Sequence, residues 1–346
     1  MKAAVFHDVG DLTLEEVPDP EMRRDDALIR VRVCGLCGSE FNKYKGSRKA
    51  TFPFISGHEW CGNIVDVGPE VENFRVGDRV IGETCIPCGT CAVCREGFAA
   101  PACLRSECYG MSGTSRPGAL AEYIAVKEKA LYKIPEDMSY EEGSLVEPLS
   151  VSYHAIWGVG GGVAPHDRVV IFGCGPIGLL ALMTVKAACA LAIVVEPSTY
   201  RRDLAGKLGA DVLIDPIEED TARAVTRHTK GRGATLVLEC SANENAVAST
   251  LHTIGVGARV VVVGVKDGPD VPMRLIETAF KKAQIVGSGG APFFFPKTLD
   301  FMARRSVDFT AIITHRFPLS DIAEAFETGL SGTENGKIVI DCTDIE

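Results

Sequence analysis

The sequence has no Lys/Arg-rich run, and its 36 basic residues are outnumbered by 46 acidic ones, for a formal net charge of −10. That balance argues against nucleic acid or an anionic membrane surface as a partner, since both recruit basic patches. No internal repeat and no low-complexity segment occurs in the 346 residues. The first residues, Met1 to Asp8, contain no apolar core of a signal peptide, so the expected compartment is the cytoplasm. The stretch Val169 to Val185 carries no charge and is about the shortest length that spans a bilayer. Three glycines and Pro176 divide it, so no membrane span is expected. The chain is not poor in apolar residues (46%), enough for large cores, and its length suggests two domains. It is rich in cysteine, with 13. An odd number in a chain of this size points to metal ligation in a reducing cytosol rather than to a disulfide framework.

The stretch from Val169 to Glu196 organises the rest. Val169 to Phe172 is a β-branched run, hence a buried strand. Gly173, Gly175 and Gly178 follow at the spacing G-x-G-x-x-G, with Pro176 and Ile177 between the last two. Leu179 to Ala190 reads as a helix, Ile193 to Val195 as a second strand, and Glu196 closes the unit. Gly173 permits the tight turn, Gly175 lets backbone approach a pyrophosphate, and Gly178 lets helix and strand pack closely. The helix N-terminus offers free N–H groups to the phosphates. Glu196 stands where a carboxylate accepts hydrogen bonds from the adenosine ribose and repels a 2′-phosphate, so the expected cofactor is NAD. Arg201 and Arg202 lie just behind, and arginine there could pair with a 2′-phosphate.

Residues 1 to about 80 read as short strands: Lys2–Phe6, Leu12–Glu16, Ala27–Val33, Gly62–Val67 and Arg79–Ile81. This is an antiparallel, barrel-like half. Two chemical features sit in it. Cys34-x-x-Cys37 could be a redox pair, but no thioredoxin-like βαβ unit surrounds it. Cys37, His58 and Glu59 offer a thiolate, an imidazole and a carboxylate, which suits a catalytic zinc with an open position. Cys88, Cys91, Cys94 and Cys103 offer four thiolates for a closed structural zinc. Cys85 and Cys108 flank that cluster and compete for ligand roles. The spacing matches no common iron–sulfur run. From about Ser152 to Gly289 strands and helices alternate. Strands are expected at Val212–Ile214, Ala234–Glu239, Arg259–Val263 and Gln284–Val286. Helices are expected at Tyr200–Leu208, Thr221–Thr229, Ala246–Thr253 and Met273–Lys281. Cys240, Val263, Val265 and Ser288 fall at strand carboxyl ends, where they would line the nicotinamide half of the cleft. Beyond residue 290, helices are expected at Lys297–Arg304 and Leu319–Gly329 and a closing strand at Gly336–Ile340. Cys174, Cys189, Cys240 and Cys342 also read as small buried apolar residues.

Taken together, Gly35-x-Cys37-Gly-Ser39, Gly57-His58-Glu59, Gly77-Asp78-Arg79-Val80, the four-cysteine lobe and the dinucleotide motif make the chain resemble the zinc-dependent medium-chain dehydrogenases over its whole length. Glu147-Pro148-Leu149-Ser150, with His154 after it, resembles the polyol dehydrogenases within that superfamily; threonine dehydrogenases share the Glu-Pro-Leu. The resemblance implies a Rossmann doubly wound parallel sheet (residues 153–289) and a discontinuous, β-rich GroES-like catalytic domain (1–152 and 290–346). A cleft between the two domains would close on cofactor. It implies Cys37 and His58 as ligands of the catalytic zinc, with Glu59 and Glu147 both within reach. Glu40 would orient His58, and Ser39 would take the substrate proton. The family's relay histidine is Asn42 here. The spacing to Cys103 is one residue long, and the helix before Glu196 is one residue short, so an unusual turn is expected near Ala188–Ala190.

The function these features imply is oxidation of a polyol's secondary hydroxyl by NAD with two zinc ions per chain. Linear sugar alcohols come first among substrates, then cyclitols or aminocyclitols, then amino alcohols such as threonine. Lys43, Lys45, Arg48 and Lys49 after the catalytic cysteine read as a solvated loop. The run Val260–Val265 suggests subunit pairing, giving a homodimer or homotetramer. A non-catalytic NAD-binding sensor is the alternative of another class, and it calls for a broken metal site.

Overall fold

In the computed structural model, residues 1–98, 102–112, 116–264, 268, 270–291, 293–304, 306–332 and 334–343 are described. The stretch read as strand–turn–helix–strand is that. The strand Arg168–Phe172 leads to the helix Pro176–Ala187, whose N-cap is Gly175, and then to the strand Leu191–Val195. Gly173 has φ +87°, the turn conformation glycine adopts freely. A Cβ on Gly178 would overlap the carbonyl oxygen of Gly173, so this position tolerates no side chain. The expected irregularity after the helix is there: Cys189 takes φ +58°, a left-handed residue where glycine is commoner.

Six parallel strands surround this unit in the order Val212–Ile214, Leu191–Val195, Arg168–Phe172, Ala234–Glu239, Ile254–Val262, Gln284–Gly287. This is the doubly wound Rossmann order, with its switch point beside Arg168–Phe172. Val169 and Ile171 pack into one apolar core and Val170 and Phe172 into another. Burial on both faces explains why the strand is continuously apolar instead of alternating. Some sequence expectations change. The strand expected from Arg259 starts at Ile254, because Gly255 and Gly257 (φ +74°) hid an early bulged stretch. The helix expected over Ala246–Thr253 is a helix at Glu244–Ser249, capped by the Asn243 side chain, followed by a 3₁₀ turn. The apolar run from Val260, read as a subunit-pairing strand, lies inside the sheet, covered by Gln284–Gly287.

The remaining strands form a β-rich unit of the GroES-like type. Its largest sheet runs Leu131–Lys133, Arg79–Gly82, Glu59–Val67, Asp26–Gly35, Lys337–Asp341, Ile313–Pro318, with Tyr123–Lys127 also paired to Asp26–Gly35. The last strands of the chain thus sit beside an early one: Val339 faces Gly35 and Ile340 faces Cys34. This pairing brings the C-terminal strand against the loop carrying Cys37. Among the described residues no helix is long and apolar enough to cross a membrane.

Candidate active site

Cys37 is the N-cap of the short helix Gly38–Tyr44. His58 and Glu59 enter from the neighbouring strand, where Glu59 pairs with Gly35. Gly57 precedes them at φ +100°, and a Cβ there would come within 2.5 Å of the Leu120 amide nitrogen and 2.9 Å of Cys34 Sγ. The three donors, Cys37 Sγ, a His58 ring nitrogen and a Glu59 oxygen, lie within 4.8 Å of one another. Glu40, one helical turn on, supports them. Its carboxylate lies 3.0 Å from His58 Nδ1 and accepts hydrogen bonds from the Cys37 amide (2.6 Å) and Ser56 Oγ (3.0 Å). Burial opposes ionisation of Glu40. The charge and hydrogen bond of His58, with Lys43 and the Cys37 amide, outweigh it and hold Glu40 down to about 2. Burial likewise opposes charge on His58 and on Cys37. The negative charges of Glu40 and Cys37 nevertheless raise His58, and His58 lowers Cys37. A thiolate and an imidazole whose second nitrogen faces a carboxylate are a donor set that fits zinc. Ser39 Oγ, enclosed and without a hydrogen-bond partner among the described residues, adds a polar atom with nothing yet to bind.

Glu147 stands outside this trio. It is held by Thr84 Oγ1 at 3.3 Å; burial raises its carboxyl, while the positive charge of His58 pulls the other way. Of the two candidate glutamates, only Glu59 is grouped with Cys37 and His58. Glu59 also has a partner the sequence reading missed. Lys337, 1% exposed on the closing strand, donates to Glu59 Oε2 and to the Leu36 carbonyl. The signal was there, in a lone lysine inside the otherwise apolar Lys337-Ile-Val-Ile340. Lys43 likewise leaves the solvated loop to which the sequence assigned it: it is buried, while Lys45, Arg48 and Lys49 are exposed.

Glu83 is a second missed acid. It accepts from Tyr132 Oη and the Phe293 amide, both at 3.3 Å. Burial pushes its carboxyl up to about 7, with the negative charge of Glu147 adding to it. An acid raised in the folded state costs stability once it must ionise. The loss begins as pH rises past the unfolded value near 4.5 and is complete above about 7. Glu83→Gln is therefore expected to be more stable than the parent at pH 8, by about 1–3 kcal/mol, and equal to it at pH 4. Urea unfolding at the two pH values checks this; a variant less stable at pH 8 contradicts it.

Cys88, Cys91, Cys94 and Cys103 bring their sulfurs within 4.8 Å of one another. Cys88 Sγ accepts from the Cys91 amide and Cys103 Sγ from the Cys88 amide, each at 3.3 Å. The amides of Thr90 and Cys91 lower Cys88 to about 5, whereas burial and its sulfur neighbours raise Cys94 to about 12. Four thiols so close ionise together only around a cation, and the set fits a closed tetrahedral zinc. The extra residue before Cys103 does not take it out of the group. Cys85 and Cys108 do not compete for it. They face each other across the two-residue strands Cys85–Ile86 and Glu107–Cys108 and are disulfide-bonded, where metal ligation rather than disulfides was expected; the register of the two strands is the reason.

Beside the glycine turn is a cleft of about 880 Å³ lined by Gly173, Gly175, Glu196, Arg201 and Cys240. Pro176, Ile177 and Gly178 form the first turn of the helix pointing at it. Glu196 accepts from the amides of Cys174 (2.7 Å) and Ser198 (2.9 Å). Arg201 is engaged by Asn335 Oδ1 at 2.9 Å, and Arg202 by Asp215 at 2.7 Å. Val263 is buried just past the strand Ile254–Val262, and Ser288 Oγ meets His154 Nδ1 at 3.1 Å; neither lines the cleft. Val265 lies outside the described residues.

A parallel sheet with a glycine turn, set beside a β-rich unit holding two metal-type donor sets, defines a metal-dependent nucleotide-linked oxidoreductase. Comparison with known proteins agrees. Residues 23–136 match the alcohol dehydrogenase GroES-like domain and residues 176–304 the zinc-binding dehydrogenase family. The chain is 32% identical to the sorbitol dehydrogenase of Bacillus subtilis (strain 168), over 95% of this chain and 94% of that one. It is 35% identical to the scyllo-inosose 3-dehydrogenase of Thermotoga maritima, over 91% and 86%. A zinc-binding dehydrogenase from Sinorhizobium meliloti, solved with NADP, superposes with a TM-score of 0.91 at 28% identity, covering 98% of each chain. The chain belongs to the zinc-dependent alcohol dehydrogenase family and is an oxidoreductase of that type.

Proposed function

We propose that this protein oxidises a secondary hydroxyl of a polyol, a sugar alcohol or a cyclitol or aminocyclitol, to the ketone and passes the hydride to NAD. The observation that carries the reading is the acid-rich donor set. Glu59 stands with Cys37 and His58, and Glu147 stands nearby behind Thr84. Carboxylate donors make a harder site than thiolates and suit a ligand bearing several hydroxyls. Zinc held by Cys37, His58 and Glu59 would supply Lewis-acid polarisation of the substrate oxygen. The nicotinamide would supply the hydride acceptor. The chain's own groups do the rest. Ser39 Oγ takes the hydroxyl proton. Glu40 fixes the His58 ring, and Lys337 restrains Glu59. A second zinc in the four-cysteine lobe is structural. Residues 1–152 and 290–346 form the catalytic domain and 153–289 the cofactor domain.

Glu196 supports NAD over NADP, because both nearby arginines are already engaged. Glu196→Ala is expected to raise KM for NAD at least tenfold, the scale of a lost hydrogen bond to a charged group, and to narrow the preference over NADP. Unchanged KM values for both would remove Glu196 from the ribose site. Subunit pairing through the parallel sheet would use one of its two edge strands, Val212–Ile214 or Gln284–Gly287, where Leu213 and Ile285 are exposed. Light scattering is expected to give a dimer or tetramer; a monomer contradicts this. The test of the function is nicotinamide reduction by zinc-replete protein with linear polyols, cyclitols, aminocyclitols and threonine, with NAD and NADP side by side. Turnover of a polyol with NAD is expected. Turnover of threonine alone would replace the reading.

A further inference from the structure

Lys43 follows Ser39 by one helical turn, so the two side chains share a face of the helix Gly38–Tyr44. Lys43 is 1% exposed, and its Nζ has no hydrogen-bond acceptor among the described residues. Its ammonium stands 5.2 Å from the centre of the Phe54 ring. The charged groups that act on it are Glu40 and Cys37, which attract, and Arg48, which repels. Glu40 is already committed to His58, Ser56 and the Cys37 amide. A buried ammonium without an acceptor is costly unless something at the site compensates it.

Arg48 and Lys49 continue the pattern. They rim a cavity of about 420 Å³ that also touches Thr51, Phe52 and Ser112. Among the described residues neither side chain takes part in a hydrogen bond or ion pair. In a chain of net charge −10, Arg48 and Lys49, with no carboxylate partner among the described residues, follow the helix Gly38–Tyr44, and the buried Lys43 near its end has only the attraction of Glu40 and Cys37 and no hydrogen-bond acceptor. Ser39, with its own enclosed and unpartnered hydroxyl, lies about 6 Å from Lys43 along the helix axis.

We propose that Lys43, Arg48 and Lys49 form an anion subsite of the active site, and that the substrate is a polyol carrying a phosphate monoester. This rests on the polyol reading and narrows it. Three positive charges match a dianion better than a carboxylate. Arginine adds a planar pair of donors suited to phosphate oxygens. Arg48 and Lys49 line the cavity, and Lys43, buried outside that lining but close enough for its charge to act on that of Arg48, adds to the positive field. One end of the substrate is thereby anchored while a hydroxyl further along meets Ser39.

The test uses zinc-loaded protein and two readouts. The first is kcat/KM for polyol phosphates, for the parent polyols and for the corresponding sugar acids. The second is calorimetric binding of inorganic phosphate. The phosphorylated substrate is expected to be preferred at least tenfold over its parent. Inorganic phosphate is expected to bind the wild type and to lose most of that affinity in R48A/K49A. The same double variant should lower the preference about tenfold, mainly through KM, and rising salt should do likewise. Lys43→Met should also lose the preference, with Lys43→Arg restoring part of it. The exposed double variant keeps the test intact if Lys43→Met does not fold. Equal use of neutral and phosphorylated polyols, without phosphate binding, overturns the subsite and leaves the polyol reading standing. So does a preference for sugar acids over phosphates. If no polyol in any form is oxidised, the polyol reading fails. Calorimetry then decides the subsite alone: phosphate binding that R48A/K49A abolishes supports it, and no binding overturns it.

Discussion

Replacing Cys37 with alanine is expected to remove one of two zinc ions per chain and to slow cofactor reduction between a thousandfold and ten-thousandfold. The reasoning starts from the donor set. Cys37, His58 and Glu59 are the only grouping among the described residues, besides the four-cysteine lobe, whose ligand atoms converge on a metal-sized space. Lewis-acid polarisation is worth several kcal/mol of barrier, and each 1.4 kcal/mol is a factor of ten. The fold should survive. Cys37 lies at a helix start, and the lobe built on Cys88, Cys91, Cys94 and Cys103 keeps its own ion. Zinc analysis beside NADH production reads both effects. A variant that keeps two zincs and full turnover would place the chemistry elsewhere.

Lys337→Met has the largest expected effect on stability. Lys337 and Glu59 are 1% and 2% exposed, and their contact is direct. Removing the lysine strands a buried carboxylate and leaves the Leu36 carbonyl without its ammonium donor. Breaking a buried pair in this way costs about 3–5 kcal/mol. The loss should be greatest in metal-free protein and smaller when zinc is bound, because zinc can then neutralise Glu59. Adding Glu59→Gln should recover part of the loss, since no charge is then stranded. Denaturant unfolding of the single and double variants, with and without zinc, measures it. A change under about 1 kcal/mol in the metal-free single variant contradicts the pairing, because a pair worth so little is typical of the solvent-exposed surface.

Much of this was legible in the sequence where local pattern dictates geometry. The strand–glycine–helix–strand unit can be read because each glycine answers a steric demand within a few residues, and the two metal sets because their cysteines and histidine stand in short motifs at ligand spacing. What escaped the sequence depends on register between distant strands. Lys337 reaches Glu59 only because the final strand pairs with Asp26–Gly35. Cys85 and Cys108 join because two short strands set them opposite. Glu147 was a candidate ligand equal to Glu59, yet its helix leaves it with Thr84. Lys43 looked like part of a solvated charge run, and the helix turned it inward over Phe54. In each case charge or spacing was visible and the direction of the side chain was not.

The most direct measurement is a zinc add-back. Protein stripped of metal would be titrated with zinc while bound ion and polyol-dependent reduction of NAD are followed together. The expected course is biphasic. The first equivalent fills the four-cysteine lobe and restores stability without turnover, and activity then rises in proportion to the second, reaching its maximum at two zincs per chain. Full activity after one equivalent, or activity without zinc, would contradict a catalytic ion held by Cys37, His58 and Glu59.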